Sequence, residues 1–273
     1  MERREYPYLV IMVLPAIVVL AAFFLLPMAR LVVVAGTGPE GIAAYFAVLT
    51  KPRYLESLIA TVLLSTAVTF VTLGISTVSG LFLERNRFFG RDLLIALLTF
   101  PLAFPGVVVG FMVIMLAGRQ GLIGDIFFLI TGHKLVFAYS MAGLFLGYVY
   151  FSIPRVILTV MAAAEKLDPA LEEAARSLGA KPLVVFRDVI LPALTPALIA
   201  SGAICFATSM GAFGTAFTLA TNIDVLPMTI YTEFTLRANI AMAAALSIVL
   251  GLITWVALNI ARSLAGSSVG AAG

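Results

Sequence analysis

Glu173-Ala174-Ala175, Gly179-Ala180 and Ile190-Leu191-Pro192 mark the one long polar stretch of this chain, which runs from Leu167 to Pro196. Apolar sequence of membrane-spanning length lies on both sides of this stretch. Its residues predict a short helix, a turn and a second short helix at a membrane surface. A compact helical hairpin of this kind is suited to docking another protein.

Signals for helix ends support this prediction. Asp168 is a good N-cap, because its carboxylate can accept hydrogen bonds from the first free backbone N–H groups. Pro169 follows at the first helical position, where its missing N–H costs nothing, and acidic residues fill the first turn, where the helix dipole favours them. Gly179 can end the first helix in a left-handed conformation, and Pro182 can open the second.

Composition places the chain in a membrane. Of its 273 residues, 62% are hydrophobic and 11% are charged, whereas about 25% of the residues of a soluble domain are charged. A helix that crosses a bilayer needs roughly 20 apolar residues. Suitable runs are Tyr8–Val34, Leu58–Leu83, Leu93–Ala117, Val136–Ala164, Ala193–Ala220 and Ile240–Ala261. We therefore predict an all-α membrane protein with six transmembrane helices, in which residues 1–273 form a single transmembrane domain. The first run is too long for a removed signal peptide and is expected as a retained span.

Lysine and arginine predict the orientation. With both termini in the cytoplasm, ten basic residues lie inside and five outside, in agreement with the positive-inside rule. The inner set is Arg3, Arg4, Arg85, Arg87, Arg91, Lys166, Arg176, Lys181, Arg187 and Arg262, and the outer set is Lys51, Arg53, Arg119, Lys134 and Arg237. This topology explains the net charge of +3, so no nucleic-acid partner is expected.

The polar stretch resembles the EAA loop of the permease subunits of type I ABC importers. In that family the loop reads Glu-Ala-Ala, three residues, Gly, nine residues, an aliphatic residue, one residue and Leu-Pro. Here the pattern falls on Glu173-Ala174-Ala175, Gly179, Val189 and Leu191-Pro192, with valine in place of the usual isoleucine. The resemblance extends over most of the chain beyond the first span. It implies the type I ABC importer permease fold and a multi-pass location in the bacterial cytoplasmic (inner) membrane.

The resemblance also implies partners and a coupling site. A second permease subunit, identical or paralogous, would complete the pore within the membrane lipid. Two ATPase subunits would bind below it, and an extracytoplasmic solute-binding protein would deliver cargo. Residues 165–192 would be the cytoplasmic coupling loop, seated in a groove of the ATPase. The ATPase-coupling residues would be Glu172, Glu173, Ala174, Ala175, Leu178, Gly179, Ala180, Phe186, Leu191 and Pro192.

The chain itself is predicted not to be an enzyme. It has no G-x-x-x-x-G-K-[ST] phosphate loop, so ATP and Mg²⁺ would be bound by the partner ATPase and no cofactor is expected here. His133 and Cys205 are the single residues of their types and lie far apart in sequence. They predict neither a metal site nor a catalytic pair.

Two other classes of function compete with the permease interpretation. An ion-coupled secondary carrier usually holds carboxylates inside its spans, and no Asp or Glu lies well inside the six predicted here. Inverted repeats, which many carriers contain, are also not evident. A structural membrane scaffold would have no need of the EAA pattern. Both classes are therefore disfavoured.

Small and polar residues suggest helix contacts and a pathway. Gly106-x-x-x-Gly110 and Gly143-x-x-x-Gly147 are interpreted as faces of close helix packing. Pro101, Pro105 and Pro154 interrupt the third and fourth predicted spans. In type I permeases the segment corresponding to the end of the fifth span contributes to the translocation path. The pathway candidates there are Ser209, Met210, Gly211, Gly214 and Thr215.

The cargo prediction rests on a narrower resemblance. Residues 164–168 look similar to polyamine (spermidine/putrescine) permeases, whose wider group has relatives for aminoethylphosphonate, ferric iron, thiamine and opine-like compounds. We predict a polyamine-like small solute, with these other cargos as alternatives. Asp224 and Glu233 would then be carboxylates of the pathway at its outer mouth, although a solvated loop also explains them. Arg155 is interpreted as snorkelling toward lipid phosphates, and the alternative is a pore-facing cation that pairs with a carboxylate or repels cationic cargo.

Overall fold

Every regular element in the described part of the chain is a helix. The computed structural model describes residues 6–219 and 223–270, with side chains for residues 12–219 and 223–265. Within these ranges, the helices long and apolar enough to cross a membrane are Met12–Gly36, Pro52–Arg85, Gly106–Thr131, Met141–Ala164, Pro182–Met210 and Ile240–Ala265. The predicted all-α class is confirmed. The second span is longer than predicted, and the fourth lacks its first few predicted residues.

The helices of the described residues differ widely in length, from 4 residues in α10 to 34 in α4. They are α1 (Tyr6–Leu20), α2 (Leu26–Gly36), α3 (Ala43–Thr50), α4 (Pro52–Arg85), α5 (Arg91–Thr99), α6 (Gly106–Ala117), α7 (Leu122–Thr131), α8 (Met141–Ala164), α9 (Pro169–Ser177), α10 (Pro182–Val185), α11 (Leu191–Met210), α12 (Gly214–Leu219), α13 (Leu226–Tyr231) and α14 (Ile240–Gly270). Ala21–Leu25, Phe186–Ile190 and Thr232–Leu236 are π-helical turns, and Phe100–Ala103 is a 3-10 turn.

Contacts along the chain define two compact units. The first comprises the described residues up to Leu55 together with Thr229–Gly251. In this unit Gly38 approaches Ala241 so closely that a Cβ on Gly38 would lie 2.3 Å from the Cβ of Ala241. A larger residue at position 38 would therefore force the two segments apart. The single transmembrane domain over residues 1–273 stays a prediction.

The second unit comprises Glu56–Met228 and the described residues from Leu252 onward. Its core is formed by buried side chains of α4, α6, α8, α11 and α12. Val68, Leu144 and Leu194 are among the fully buried members. The polar stretch and the pathway candidates Ser209 to Thr215 lie in this unit.

Small residues let α12 pack against α6 and α8. A Cβ on Gly110 would lie 2.6 Å from the Cβ of Thr218, and one on Gly147 would lie 3.0 Å from Cγ2 of Thr215. The Thr215 hydroxyl also donates a hydrogen bond to the Gly106 carbonyl over 2.9 Å. The interpretation of these three glycines as helix-packing positions is confirmed. Gly143 differs, because a Cβ there would lie 2.2 Å from the Ala138 carbonyl oxygen, in the turn before α8.

Proline acts differently in the third and fourth spans. The predicted run Leu93–Ala117 is divided, because α5 ends at Thr99 and α6 begins at Gly106. Pro105 just before α6 is extended, with φ −65° and ψ 151°, and it cannot donate the backbone hydrogen bond that a continuous helix requires. Pro154, by contrast, lies inside α8. The fourth span is therefore not divided at Pro154, and a kink there stays a prediction.

The fifth span begins earlier and ends earlier than predicted. The second short helix of the predicted hairpin is not separate, because α10 continues through a π turn into α11. In that turn the Leu191 N–H bonds to the Phe186 carbonyl, which shifts the hydrogen-bond register just before Pro192 and accommodates its missing N–H. The helix then ends at Met210, and Ala220, the predicted end, lies outside the described residues.

Candidate functional site: a polar hairpin and a hydroxyl-lined cavity

The first helix of the polar stretch is capped at both ends as predicted. The Asp168 carboxylate accepts a hydrogen bond from the Ala170 N–H over 2.9 Å. At the other end Gly179 has φ +84° and donates to the Arg176 carbonyl over 2.9 Å, while the Ala180 N–H donates to Ala175 over 3.1 Å. This pair of bonds is a Schellman motif, which satisfies the last free carbonyls of a helix. The predicted N-cap and left-handed glycine are confirmed.

Glu172 links this helix to the end of α4. Both of its carboxylate oxygens accept hydrogen bonds from the guanidinium of Arg85, and one also lies 3.5 Å from Arg176. The Glu172 side chain is 12% exposed. Bidentate pairing of this kind fixes the direction of a side chain as well as its position. Sequence reasoning missed this pair, since Arg85 was interpreted only as one of the inner basic residues.

The predicted coupling residues fall into two groups. The exposed group is Glu173, Ala174, Leu178, Gly179 and Pro192, and the half-buried group is Glu172, Ala175, Ala180, Phe186 and Leu191. Ala175, Ala180 and Phe186 pack against the core of the second unit. Leu178 is 89% exposed and Leu183 is 76% exposed, so the polar stretch carries two prominent apolar side chains on its outer surface.

A cavity with five hydroxyl-bearing residues in its lining lies where α6 begins, α11 ends and α12 begins, beside the middle of α8. Its volume is about 200 Å³, and it is lined by Gly106, Tyr148, Phe151, Ser152, Thr208, Ser209, Ala212, Gly214 and Thr215. The structure thus brings together three of the five predicted pathway residues of this segment. Met210 is buried elsewhere and Gly211 is exposed at the end of α11.

Most polar groups of the lining are satisfied within the protein. The Tyr148 hydroxyl donates to the Ala212 carbonyl, and the Thr208 hydroxyl lies 2.9 Å from the carbonyl of Ile204. Sequence reasoning missed Tyr148, Phe151, Ser152 and Thr208. Tyr148, Ser152 and Thr208 are polar residues within predicted apolar spans, but nothing in their spacing indicated that they line one cavity.

Arg155 lies on α8 one turn from the cavity lining. Its guanidinium carbon is 5.9 Å from the centre of the Phe151 ring, within the range of a cation–π interaction. Within the described residues no carboxylate lies within 4.0 Å of it. The structure therefore gives Arg155 an aromatic contact and leaves its charge without an acidic partner there.

The two carboxylates predicted for the outer mouth have different surroundings. Asp224 is exposed. Glu233 is 1% exposed and forms ion pairs with Arg237 at 3.0 Å and with Arg53 at 3.7 Å. Its negative charge is therefore balanced by two guanidinium groups, which are 51% and 41% exposed.

Six helices of membrane-spanning length, a capped polar hairpin before the fifth and a hydroxyl-lined cavity among the spans are the architecture of a multi-pass membrane protein. Residues 76–266 match the family model described as "Binding-protein-dependent transport system inner membrane component". The chain belongs to this family, which comprises the inner-membrane permeases of type I ABC importers. The predicted permease class is confirmed, in agreement with a pore subunit rather than an enzyme.

Curated relatives resemble the chain over most of its length. It is 34% identical to the sulfate transport system permease protein CysT of Salmonella typhimurium, over 81% of this chain and 78% of the relative. It is 33% identical to the molybdenum transport system permease protein ModB of Escherichia coli K12, over 80% of this chain and 96% of the relative. A third, 30% identical over 85% of this chain and 84% of the relative, is the putative 2-aminoethylphosphonate permease PhnU of Salmonella typhimurium. None of these three is named as a polyamine permease.

Solved structures agree with the fold. A chain of a bacterial alginate ABC transporter, solved in complex with an alginate pentasaccharide-bound periplasmic protein, superposes with a TM-score of 0.82 over 96% of this chain and 94% of its own, at 18% identity. At that identity the likeness concerns the fold alone. The predicted importer permease fold is confirmed.

Proposed function

We propose that this chain forms half of the translocation pore of an ATP-driven importer for a small tetrahedral oxyanion such as sulfate or molybdate. The observation that carries this proposal is its identity of 33–34% to a sulfate and a molybdenum permease over about four fifths of the chain.

The proposal includes the partners that the resemblance implied. A second permease would complete the pore, two ATPase subunits would bind ATP and Mg²⁺, and an extracytoplasmic binding protein would deliver the anion. Both termini would lie in the cytoplasm. The polar hairpin would be the coupling element, in which exposed Leu178 and Leu183 offer apolar anchors and exposed Glu173 offers a charge to the ATPase.

A polyamine-like cargo stays a prediction with weaker support. A polyamine pathway requires carboxylates that can attract a multiply charged cation. The negative charge of Glu233 is already balanced by Arg53 and Arg237. Aminoethylphosphonate remains compatible, because its phosphonate is itself a tetrahedral anionic group. The ferric iron, thiamine and opine-like alternatives have no observation in their favour here.

Cargo is tested by uptake. The affinity-tagged chain would be purified from its own cells, its co-purifying subunits identified, and the complex reconstituted in proteoliposomes with its binding protein. We expect ATP-dependent uptake of radiolabelled sulfate or molybdate, and competition between the two. Uptake of spermidine without uptake of either anion would reverse the cargo assignment. Absence of any ATPase subunit from the purified complex would contradict the coupling part of the proposal.

Glu233 is expected to stabilise the fold rather than to attract cargo. Glu233→Gln should reduce the free energy of unfolding by roughly 1–3 kcal/mol, because it leaves two arginines without their buried counter-charge; their partial exposure limits the loss. Thermal unfolding of the purified protein in detergent would measure this. Asp224→Asn, at an exposed carboxylate, is the matched control and should leave the unfolding temperature unchanged. Equal effects of the two substitutions would contradict a structural role for Glu233.

A further inference from the structure

Two hydroxyl groups in the cavity have no partner within the described protein. Ser152 is 5% exposed and Ser209 is 4% exposed, and both line the cavity. Unlike Tyr148, Thr208 and Thr215, their side chains form no hydrogen bond with any described residue. Within the described residues, the fully enclosed side-chain atoms without a hydrogen-bond partner belong to Ser65 and Thr72. The hydroxyl oxygens of Ser152 and Ser209 are therefore open to the cavity, where they can donate hydrogen bonds to a molecule that enters it.

The surroundings of the cavity favour an anion. No charged side chain is among its lining residues. The N-terminus of α6 lies at Gly106, where the helix dipole gives a partial positive charge. Arg155 is three residues beyond Ser152 on α8, so the two side chains are neighbours on the helix surface. The C-terminal end of α11 at Met210 brings an opposing partial negative charge to the same region, so the full positive charge of Arg155 decides that the local field favours an anion.

We propose that this cavity is a transient binding site for a small tetrahedral oxyanion on the translocation path. Ser152 and Ser209 donate hydrogen bonds to the anion, and Arg155 attracts it from one turn away. This inference rests on the proposed function and deepens it by naming the residues that contact cargo. Neutral hydroxyl donors suit a transit site, because they replace part of the hydration of the anion without the strong pairing that would delay its release.

Accessibility and protection of a single cysteine test the site directly. The chain has one cysteine, Cys205, which Cys205→Ala removes. In that background Ser209→Cys places a thiol in the cavity. The matched control is Ser201→Cys on the same helix, because Ser201 is 5% exposed, its hydroxyl is bonded to the Leu198 carbonyl, and it does not line the cavity.

The reaction of each thiol with the anionic reagent 2-sulfonatoethyl methanethiosulfonate would be measured in the assembled transporter. We expect Ser209→Cys to react and Ser201→Cys to stay unreactive. Sulfate or molybdate at roughly twice its Kd should slow the reaction about threefold relative to chloride of equal ionic strength. Spermidine should give no protection. Equal protection by spermidine, or none by either oxyanion, would overturn the site.

Transport measurements separate this inference from the proposed function. We expect the double variant Ser152→Ala/Ser209→Ala to lower the maximal rate of oxyanion uptake about tenfold, equivalent to about 1.4 kcal/mol, while loaded binding protein still stimulates ATP hydrolysis. Ser152→Thr/Ser209→Thr, which keeps both hydroxyls, should restore part of the rate, and Ser201→Ala should match the wild type. Normal uptake by the double alanine variant would refute the site and leave the oxyanion importer standing. Failure of the wild type to import either anion would instead refute the proposed cargo.

Discussion

Gly179→Val is expected to reduce ATP-dependent uptake at least about tenfold, with the protein still inserted in the membrane. The reason is conformational, because Gly179 has φ +84° and no atom lies within 4 Å of the position that a Cβ would occupy. A valine side chain therefore causes no steric clash at this position. The backbone conformation itself costs a β-branched residue about 1–3 kcal/mol of conformational free energy. That cost falls on a helix of 9 residues, and helices this short are marginal without their caps.

The measurement compares uptake and cargo-stimulated ATP hydrolysis in proteoliposomes. Gly132→Val is the matched control, since Gly132 also has a positive φ of +74° at the end of a helix and open space around its Cβ position. It should retain transport, because it lies outside the hairpin. Gly179→Asn should recover much of the activity, since asparagine tolerates this conformation. Full transport by Gly179→Val would show that the hairpin is not the coupling element.

Arg85→Glu is expected to have a comparably large effect on coupling. It replaces a bidentate ion pair with two carboxylates facing each other at the junction of α4 and α9. A charged hydrogen bond contributes about 1.5–3 kcal/mol, reduced here because the Arg85 side chain is 35% exposed. Repulsion between the new glutamate and Glu172 adds to that loss. We expect uptake to fall about tenfold or more, since α9 would lose its fixed position on the permease.

The charge-swapped double variant decides whether the pair itself matters. Arg85→Glu/Glu172→Arg should restore uptake to within about threefold of the wild type, since a coupled pair shows a large interaction energy in a double-mutant cycle. Arg87→Glu is the control for a change of charge in the same loop, because Arg87 is exposed. It should leave uptake near the wild-type value. If the uptake lost in the double variant equals the sum of the losses in Arg85→Glu and Glu172→Arg, expressed as free energies, the ion pair does not position α9.

The hairpin illustrates what local sequence can predict. Asp168, Pro169 and Gly179 each act on backbone groups within about one helical turn of their own position. Both ends of the helix therefore formed where the sequence indicated. The second half of the hairpin did not follow, although Pro182 did open a helix. The helix that Pro182 opens instead continues through a π turn past Pro192. A shifted hydrogen-bond register of this kind has no signal in residue type alone.

The lengths of the apolar runs determined the number of spans and their approximate positions. A bilayer requires a spanning helix to be about 20 residues long and apolar, whatever the fold. The EAA pattern likewise predicted the family, which the family match confirms, and the place of the polar hairpin. Only the tertiary structure decided that Arg85 holds Glu172, that Glu233 is buried between arginines, and that Ser152 meets Ser209 in one cavity. These partners are far apart in the chain, and side chains so separated are brought together by helix packing. That packing depends on the shapes of all the helices at once and leaves no periodic trace in the sequence.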